Sequence, residues 1–396
     1  MSCTDELLVA LEGIEAGSFT NEAKRVRVRD ALFRALRKTQ SPWDIAWEHS
    51  WANTALSPCI NTLVDMGAFT KWADAGHRPM TSTELAELTG ADAVLLRRLM
   101  RCLAGQHLIV ETAGDTYLAT PWSKSFETEP EFAGTYGGFR SELMGPVCDA
   151  LPKFLKATGY QNPTNADEAC FQYWLGEKAT FFEWLARDQK HTSDFSCAMK
   201  LHSKYNLAHW TEVYPTDNVI SAGRQRPDRK LVVDMGGNKG YDLVKFLTKH
   251  QEHCPPGSLV LQDLPDTLRD VDLGTEAIEL QPHDFFAAQP VKGARVYFMH
   301  IVLHDWPDDK AVQILKNIAA AMEKGYSRLL LQESLMADEK PLAKVTVLDI
   351  IMMASFSSAE RSETEWNVLL ASAGMKIVKI WRPLESIENI IEAQLA

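Results

Sequence analysis

The chain has 396 residues, 45% of them hydrophobic, and a formal net charge of −12 at neutral pH, which is enough chain for two or three domains with a sizeable core. That acidic balance argues against nucleic acid or an anionic membrane surface as the main partner. Seven cysteines, at 3, 59, 102, 148, 170, 197 and 254, form no C-x-x-C and no paired spacing, so neither a metal site nor a disulfide framework is expected and the thiols read as reduced in a cytoplasmic protein.

The amino-terminus carries Asp5 and Glu6 and no basic-then-apolar signal, and no apolar run approaches the roughly 20 residues of a membrane span. The chain therefore reads as soluble and unprocessed. Residues 1 to 50 read as one or two helices; Glu22 to Lys38 sets Val26, Leu32, Phe33 and Leu36 among arginines, an amphipathic pattern that Pro42 stops. Such a basic helix can serve a membrane or nucleic acid, or pack on its own domain or a partner subunit.

From Ala52 to Ser125 the pattern is compact helices followed by a small hairpin. Thr81 to Glu84 can cap a helix carrying Leu85 and Leu88, and Ala91 to Leu103 repeats apolar residues at spacings of three and four. Leu108–Val110 and Thr116–Leu118, around Ala113-Gly114-Asp115, then read as the strands of a wing. A winged helix can bind DNA through a basic recognition helix, and Arg97, Arg98 and Arg101 invite that reading; the alternative is a solvated face on an acidic protein. Residues 126 to 230 are mostly helical and rich in aromatics, among them Phe171, Trp174, Phe181, Phe182 and Phe195. Ser221 to Asp228 is a polar, turn-rich linker.

After Arg229 the pattern alternates: strands are expected at 231–235, 258–263, 277–281, 295–301, 328–334, 375–382 and 388–394, and helices at 240–250, 308–323, 341–356 and 362–373. Alternation of this kind predicts an α/β, doubly wound sheet with right-handed crossovers and ligands at the strand ends. The first strand runs into Asp234-Met235-Gly236-Gly237-Asn238-Lys239-Gly240. Counting from Gly236, Asn238 and Tyr241 occupy the second and third glycine positions of a dinucleotide fingerprint, and no Gly-Lys-Ser/Thr follows, so neither a pyrophosphate site nor a P-loop is provided. Instead the strand ends carry Asp234, Asp263 and Asp284. Carboxylates repel phosphate but suit ribose hydroxyls, an adenine amino group and a cationic ligand, a description met by S-adenosylmethionine. His304 follows a strand and precedes a helix opened by Asp305 and Pro307, which projects it from the ligand edge. A histidine there can be structural, and Asp263 and Asp305 can be helix caps.

The blocks DMGGNKG, LVLQDLP, HDFF, LHDWPDD, LLLQESL and SAERSETEW together resemble the plant and fungal S-adenosylmethionine-dependent O-methyltransferases typified by caffeic acid O-methyltransferase. The resemblance runs over nearly the whole chain. It implies a Rossmann-like methyltransferase domain over residues 229–396, an N-terminal all-α winged-helix dimerisation domain over 1–125, a helical connecting region over 126–228 that contributes to the substrate pocket, and a homodimer. Carried over position by position, it implies that Ser203, Asp234, Gly236, Gly237, Asp263, Leu264, Asp284, Phe285 and His300 serve the cofactor. Phe195, Met199, Asp305 and Met352 then face the substrate, and His304 is a general base flanked by Glu333 and Glu360. Two positions depart from the family pattern: Asn238 replaces the more usual third glycine, consistent with asparagine's tolerance of positive φ, and His300 replaces the usual lysine. The implied reaction is methylation of a phenolic or other acidic hydroxyl on an aromatic secondary metabolite. The alternative is a non-methylating rearrangement or cyclisation on the same cofactor-binding fold.

Overall fold

In the computed structural model, which describes residues 3–15, 17–19, 22–205, 209–383 and 386–396, the chain separates into two compact units, residues 1–145 with 185–204, and residues 146–184 with 205–396. In the first unit, the helices Asn53–Asp65, Ala68–Asp74, Ser82–Thr89 and Ala93–Gly105 close around Leu63, Trp72, Leu85, Leu96, Met100 and Tyr117, all essentially without solvent contact. Thr81 and Glu84 form the expected capping box: the Thr81 hydroxyl accepts from the Glu84 amide, and Glu84 Oε2 accepts from the Thr81 amide at 2.8 Å. Short strands β1 (Met80–Thr81), β2 (Val110–Thr112) and β3 (Thr116–Leu118) make the wing, in the order β1-β3-β2. β2 begins two residues later than expected because Leu108 completes the helix end, its amide donating to Leu103 O at 3.1 Å. Arg97 and Arg101 pair with the wing acids Asp115 and Glu111, both at 2.9 Å.

The helices Cys3–Glu12, Glu22–Thr39 and Pro42–Trp47 contribute no buried described side chain. Pro42 ends one helix and opens the next, where it sits in the first turn behind a Ser41–Asp44 capping box. Trp43, Trp47 and Trp51 follow at helical spacing, are all exposed, and lie with ring centroids 5.2–6.1 Å apart.

In the second unit all seven expected strands form one sheet: β4 (Val232–Met235), β5 (Leu259–Asp263), β6 (Ile278–Pro282), β7 (Val296–His300), β8 (Arg328–Ser334), β9 (Met375–Trp381) and β10 (Glu388–Leu395). Their order is β6-β5-β4-β7-β8-β10-β9. β4 to β8 run parallel, while β10 is antiparallel to both β8 and β9, so the last strand enters the sheet and leaves β9 on the edge. Strands buried on both faces need apolar residues of both parities. Accordingly Val233, Tyr297, Leu329 and Leu331 join the helices Asp308–Ala319 and Glu363–Ser372 on one face, whereas Val232, Phe298 and Leu330 join Trp210, Leu243 and Phe246 on the other. Strand order reverses between β4 and β7. Their carboxyl ends therefore open the crevice in which such sheets bind ligands.

Candidate active site

The turn after β4 is shaped by what cannot fit in it. Gly236 has φ +74°, and a Cβ there would come within 3.1 Å of Val302 Cγ2; a Cβ on Gly237 would stand 2.5 Å from Asp234 Cγ. Asn238 adopts φ +52°, the left-handed conformation for which the family pattern uses glycine, and its amide donates to Asp263 Oδ2 at 2.9 Å. Asp263 Oδ1 accepts from the Leu264 amide at 2.7 Å. The following short helix has Leu264 as its N-cap residue with no side-chain cap bond, so Asp263 is held at the strand end with lone pairs to spare. Leu264 is half exposed beside it.

Asp234 is buried with neither carboxylate oxygen hydrogen-bonded among the described residues. Burial, and then the nearby Asp242 carboxylate, hold its carboxyl well above the usual range. An orphaned acid of this kind costs roughly 1–3 kcal/mol, a cost that a ligand with donors or positive charge would relieve. In the loop after β6, Asp284 Oδ1 accepts from the Phe286 amide at 2.9 Å, and Asn317 Nδ2 donates to the carbonyls of Phe285 and Phe286 at 3.1 and 2.8 Å. The loop so fixed sets Phe285 edge-on to Trp306, with ring centroids 6.0 Å apart at 80°. A free carboxylate for ribose hydroxyls, an aromatic face for adenine and an unpaired buried acid fit S-adenosylmethionine.

His304 stands on a single 3₁₀ turn, Leu303–Asp305, directly after β7. The chain reaches it through Ile301 at φ +50°, a conformation that a β-branched residue adopts only under constraint. Three contacts supply that constraint. Glu333 Oε1 accepts from the amides of Leu303 and Val302 at 2.9 and 3.3 Å. Arg361, itself buried, donates to Leu303 O at 2.9 Å and Trp306 O at 2.6 Å, and ion-pairs with Asp308 at 2.9 Å. Glu360, whose own amide donates to Asp349 Oδ1 at 2.9 Å, meets His304 Nδ1 at 2.7 Å. With an ionised Glu360, Nδ1 carries the proton and Nε2 the lone pair.

The two glutamates thus divide the work: Glu360 fixes the ring and Glu333 fixes the turn under it. Asp305 lies 3.5 Å from His304 Nε2 and does not cap the next helix, whose N-cap residue is Pro307. Burial pushes the Asp305 carboxyl up to about 7, with His304 opposing and Glu333 and Glu360 adding to the rise. Glu333 is likewise pushed up to about 7 by burial, with His304 opposing and Glu360 adding. Asp305 also lines a cavity of about 300 Å³ walled by Phe181, Phe182, Phe286, Trp306 and Phe356.

Of the other residues singled out from sequence, Met352 is buried in the helix Ala343–Phe356. Phe195, Met199 and Ser203 share one face of the helix Gln189–Tyr205 at a spacing of four, with Phe195 against Phe139; they belong to the first compact unit. His300, at the end of β7, has both ring nitrogens taken: Nδ1 lies 2.8 Å from Asp242 and Nε2 2.8 Å from Glu388. Sequence reasoning passed over Arg361, Asp242 and Glu388. The first could have been noticed as a cation directly after Glu360, and the second as an acid in the first helical turn after the glycines.

A doubly wound sheet with an acid-tipped, phosphate-free ligand edge and a carboxylate-tethered histidine defines a methyltransferase site of the S-adenosylmethionine type. Comparison with known proteins carries this further. Residues 161–376 match the family model of the O-methyltransferase domain and residues 47–129 that of the O-methyltransferase dimerisation domain, and the chain belongs to the S-adenosylmethionine-dependent O-methyltransferase family. It is 33% identical to the O-methyltransferase mfmE of Annulohypoxylon moriforme, over 98% of this chain and 95% of that protein. Its structure is similar to that of LepI in complex with S-adenosylmethionine, with a TM-score of 0.89 at 25% identity over 99% of this chain and 100% of that one. A structure described as a pericyclic reaction enzyme matches with a TM-score of 0.88 at 26% identity over 99% of both chains.

Proposed function

We propose that the protein methylates a phenolic or similarly acidic hydroxyl of an aromatic secondary metabolite in the cytoplasm, with His304 as general base. The observation that carries the proposal is the 2.7 Å contact between His304 Nδ1 and Glu360 Oε1, which leaves Nε2 as the basic nitrogen beside Asp305 on the edge of an aromatic cavity. S-adenosylmethionine supplies an electrophilic methyl group when bound. Asp263 would grip its ribose, Phe285 and Asp284 would hold the adenine side, and Asp234, Gly236, Gly237 and Leu264 would shape the floor, with Asp305 and Met352 facing the acceptor; Ser203, Phe195 and Met199, to which the resemblance gives cofactor and acceptor roles, lie in the first compact unit. Residues 1–125 dimerise the chain, 126–228 build the acceptor pocket and 229–396 hold the cofactor; nucleic acid and membrane have no part in this reading.

Between an ordinary phenol and an ordinary histidine, proton transfer is uphill by about 3.5 pKa units, or roughly 5 kcal/mol. The buried Glu360 carboxylate stabilises the imidazolium as it forms, and the negative charge developing on the acceptor would be offset by the sulfonium charge of the cofactor when bound, so that together they remove most of this cost. Positioning of acceptor and methyl donor by the residues named above would then supply most of the rate. A rearrangement or cyclisation on the same scaffold is the second reading, and the structural match to a pericyclic reaction enzyme favours it. Retention of a tethered base favours methyl transfer. Incubating the protein with a panel of hydroxylated aromatics, metabolite extract and isotopically labelled methyl donor separates the two by mass spectrometry. A labelled product supports transfer. An unlabelled isomer of the substrate, formed without label incorporation, would sink it.

A further inference from the structure

His300 occupies the end of β7 with one buried or nearly buried carboxylate against each ring nitrogen, Asp242 Oδ2 on Nδ1 and Glu388 Oε2 on Nε2, both at 2.8 Å. With both carboxylates ionised, two acceptor oxygens at that distance require two N–H donors, and the ring is then an imidazolium. The surroundings agree: burial opposes the charge, but Asp242 and Glu388 outweigh it and raise the His300 pKa well above the ordinary histidine value. Among the described residues, other groups facing the cluster include Gln332 on β8, whose Nε2 donates to the same Glu388 oxygen at 2.6 Å, His209, 3.8 Å from Asp242, and the orphaned Asp234, which the charge on His300 partly offsets. The three members come from separate elements. Asp242 lies in the first turn of the helix Tyr241–His250, two residues beyond Gly240, which is that helix's N-cap residue, and Glu388 opens β10.

We propose that Asp242, His300 and Glu388 form a positioning triad, in which the imidazolium of His300 pins the first turn of the helix bearing Asp242 and so sets the preceding glycine turn for S-adenosylmethionine. Breaking a buried ion pair leaves an uncompensated charge, and its cost falls on the element that must move to relieve it. Here the mobile candidate is the helix start, since β7, β8 and β10 are locked in the sheet. A lysine at position 300 would supply the same single cation between the two carboxylates.

Calorimetric titration with S-adenosylmethionine tests the proposal without any acceptor. His300→Gln should weaken binding about tenfold or more, equivalent to at least about 1.4 kcal/mol, and His300→Lys should recover most of that loss. Nitrogen-15 spectra of histidine-labelled protein should keep both His300 nitrogens protonated well above the ordinary histidine range. A His300→Gln protein that melts earlier yet binds the cofactor with wild-type affinity would reduce the triad to a structural feature and overturn the proposal. So would a His300 that titrates between about pH 6 and 7, or a His300→Lys protein no better than His300→Gln. Should His300→Gln not fold, Asp242→Asn, which keeps the His300–Glu388 pair, must show the same loss of affinity; unchanged binding overturns the proposal equally.

Discussion

Replacing Glu333 by glutamine should stabilise the catalytic unit, and only on the alkaline side. Glu333 Oε1 accepts from the Leu303 and Val302 amides, whereas Oε2 is buried with no hydrogen-bond partner among the described residues. Its carboxyl is raised from 4.5 to about 7. The folded state therefore keeps a proton that the unfolded chain has released, and the stabilisation this brings is fully present below the unfolded value and lost as pH rises through the folded one. The rise of 2.5 units corresponds to at most about 3 kcal/mol above neutrality. Glutamine keeps the acceptor for the Leu303 amide and cannot ionise. Calorimetric melting at about pH 8 should show Glu333→Gln more stable by a few °C, and the gain should vanish near pH 5. An equal difference at both pH values, or a variant less stable than wild type at the higher one, would refute the reasoning.

With an acceptor identified by label incorporation, His304→Ala should lower the methyl-transfer rate by about 10²–10⁴ while leaving calorimetric cofactor affinity nearly intact, and raising the pH should recover part of the loss by ionising the acceptor. A wild-type rate in that variant would remove His304 as base. Asp263→Ala should weaken S-adenosylmethionine binding by on the order of 1–3 kcal/mol; unchanged affinity would take Asp263 out of the site. Light scattering should find a dimer at micromolar concentration, and Trp47→Ser with Trp51→Ser should shift it toward monomer, because the exposed row Trp43, Trp47 and Trp51 needs a cover. A wild-type monomer would count against the interface.

The sheet was readable from sequence because its signals are local. Val232-Val233 and Leu329-Leu330-Leu331 are apolar at consecutive positions, which only a strand covered on both faces requires, and each run ends two to three residues short of where β4 and β8 end. The wing slipped by two residues for an equally local reason: Leu108 and Ile109 have strand-forming side chains but belong to the helix end and core, with Ile109 buried. What could not be read was the place of β10. The sequence shows two late strands; only their pairing reveals that Glu388 is drawn beside β8, where its carboxylate can meet His300 and Gln332.

The same distinction governs the site. The strand-end acids and His304 lie in short motifs, so their chemistry is visible in the string of residues. The groups that hold them act across 25 to 88 positions: Asn238 on Asp263, Arg361 on the His304 turn, Glu388 on His300. Their type is also uninformative, since a buried arginine donating to two carbonyls and a surface arginine are the same letter. It is the constraint that gives them away. Ile301 would not hold φ +50°, nor would Asp305 and Glu333 be kept buried beside Glu360, with burial pushing both up to about 7, unless the turn were clamped from several sides. A site that retains crowded acids around one imidazole at a cost in stability above neutral pH is spending that stability on where Nε2 of His304 points, and it is this expenditure, more than the motif, that supports the proposal of His304 as base.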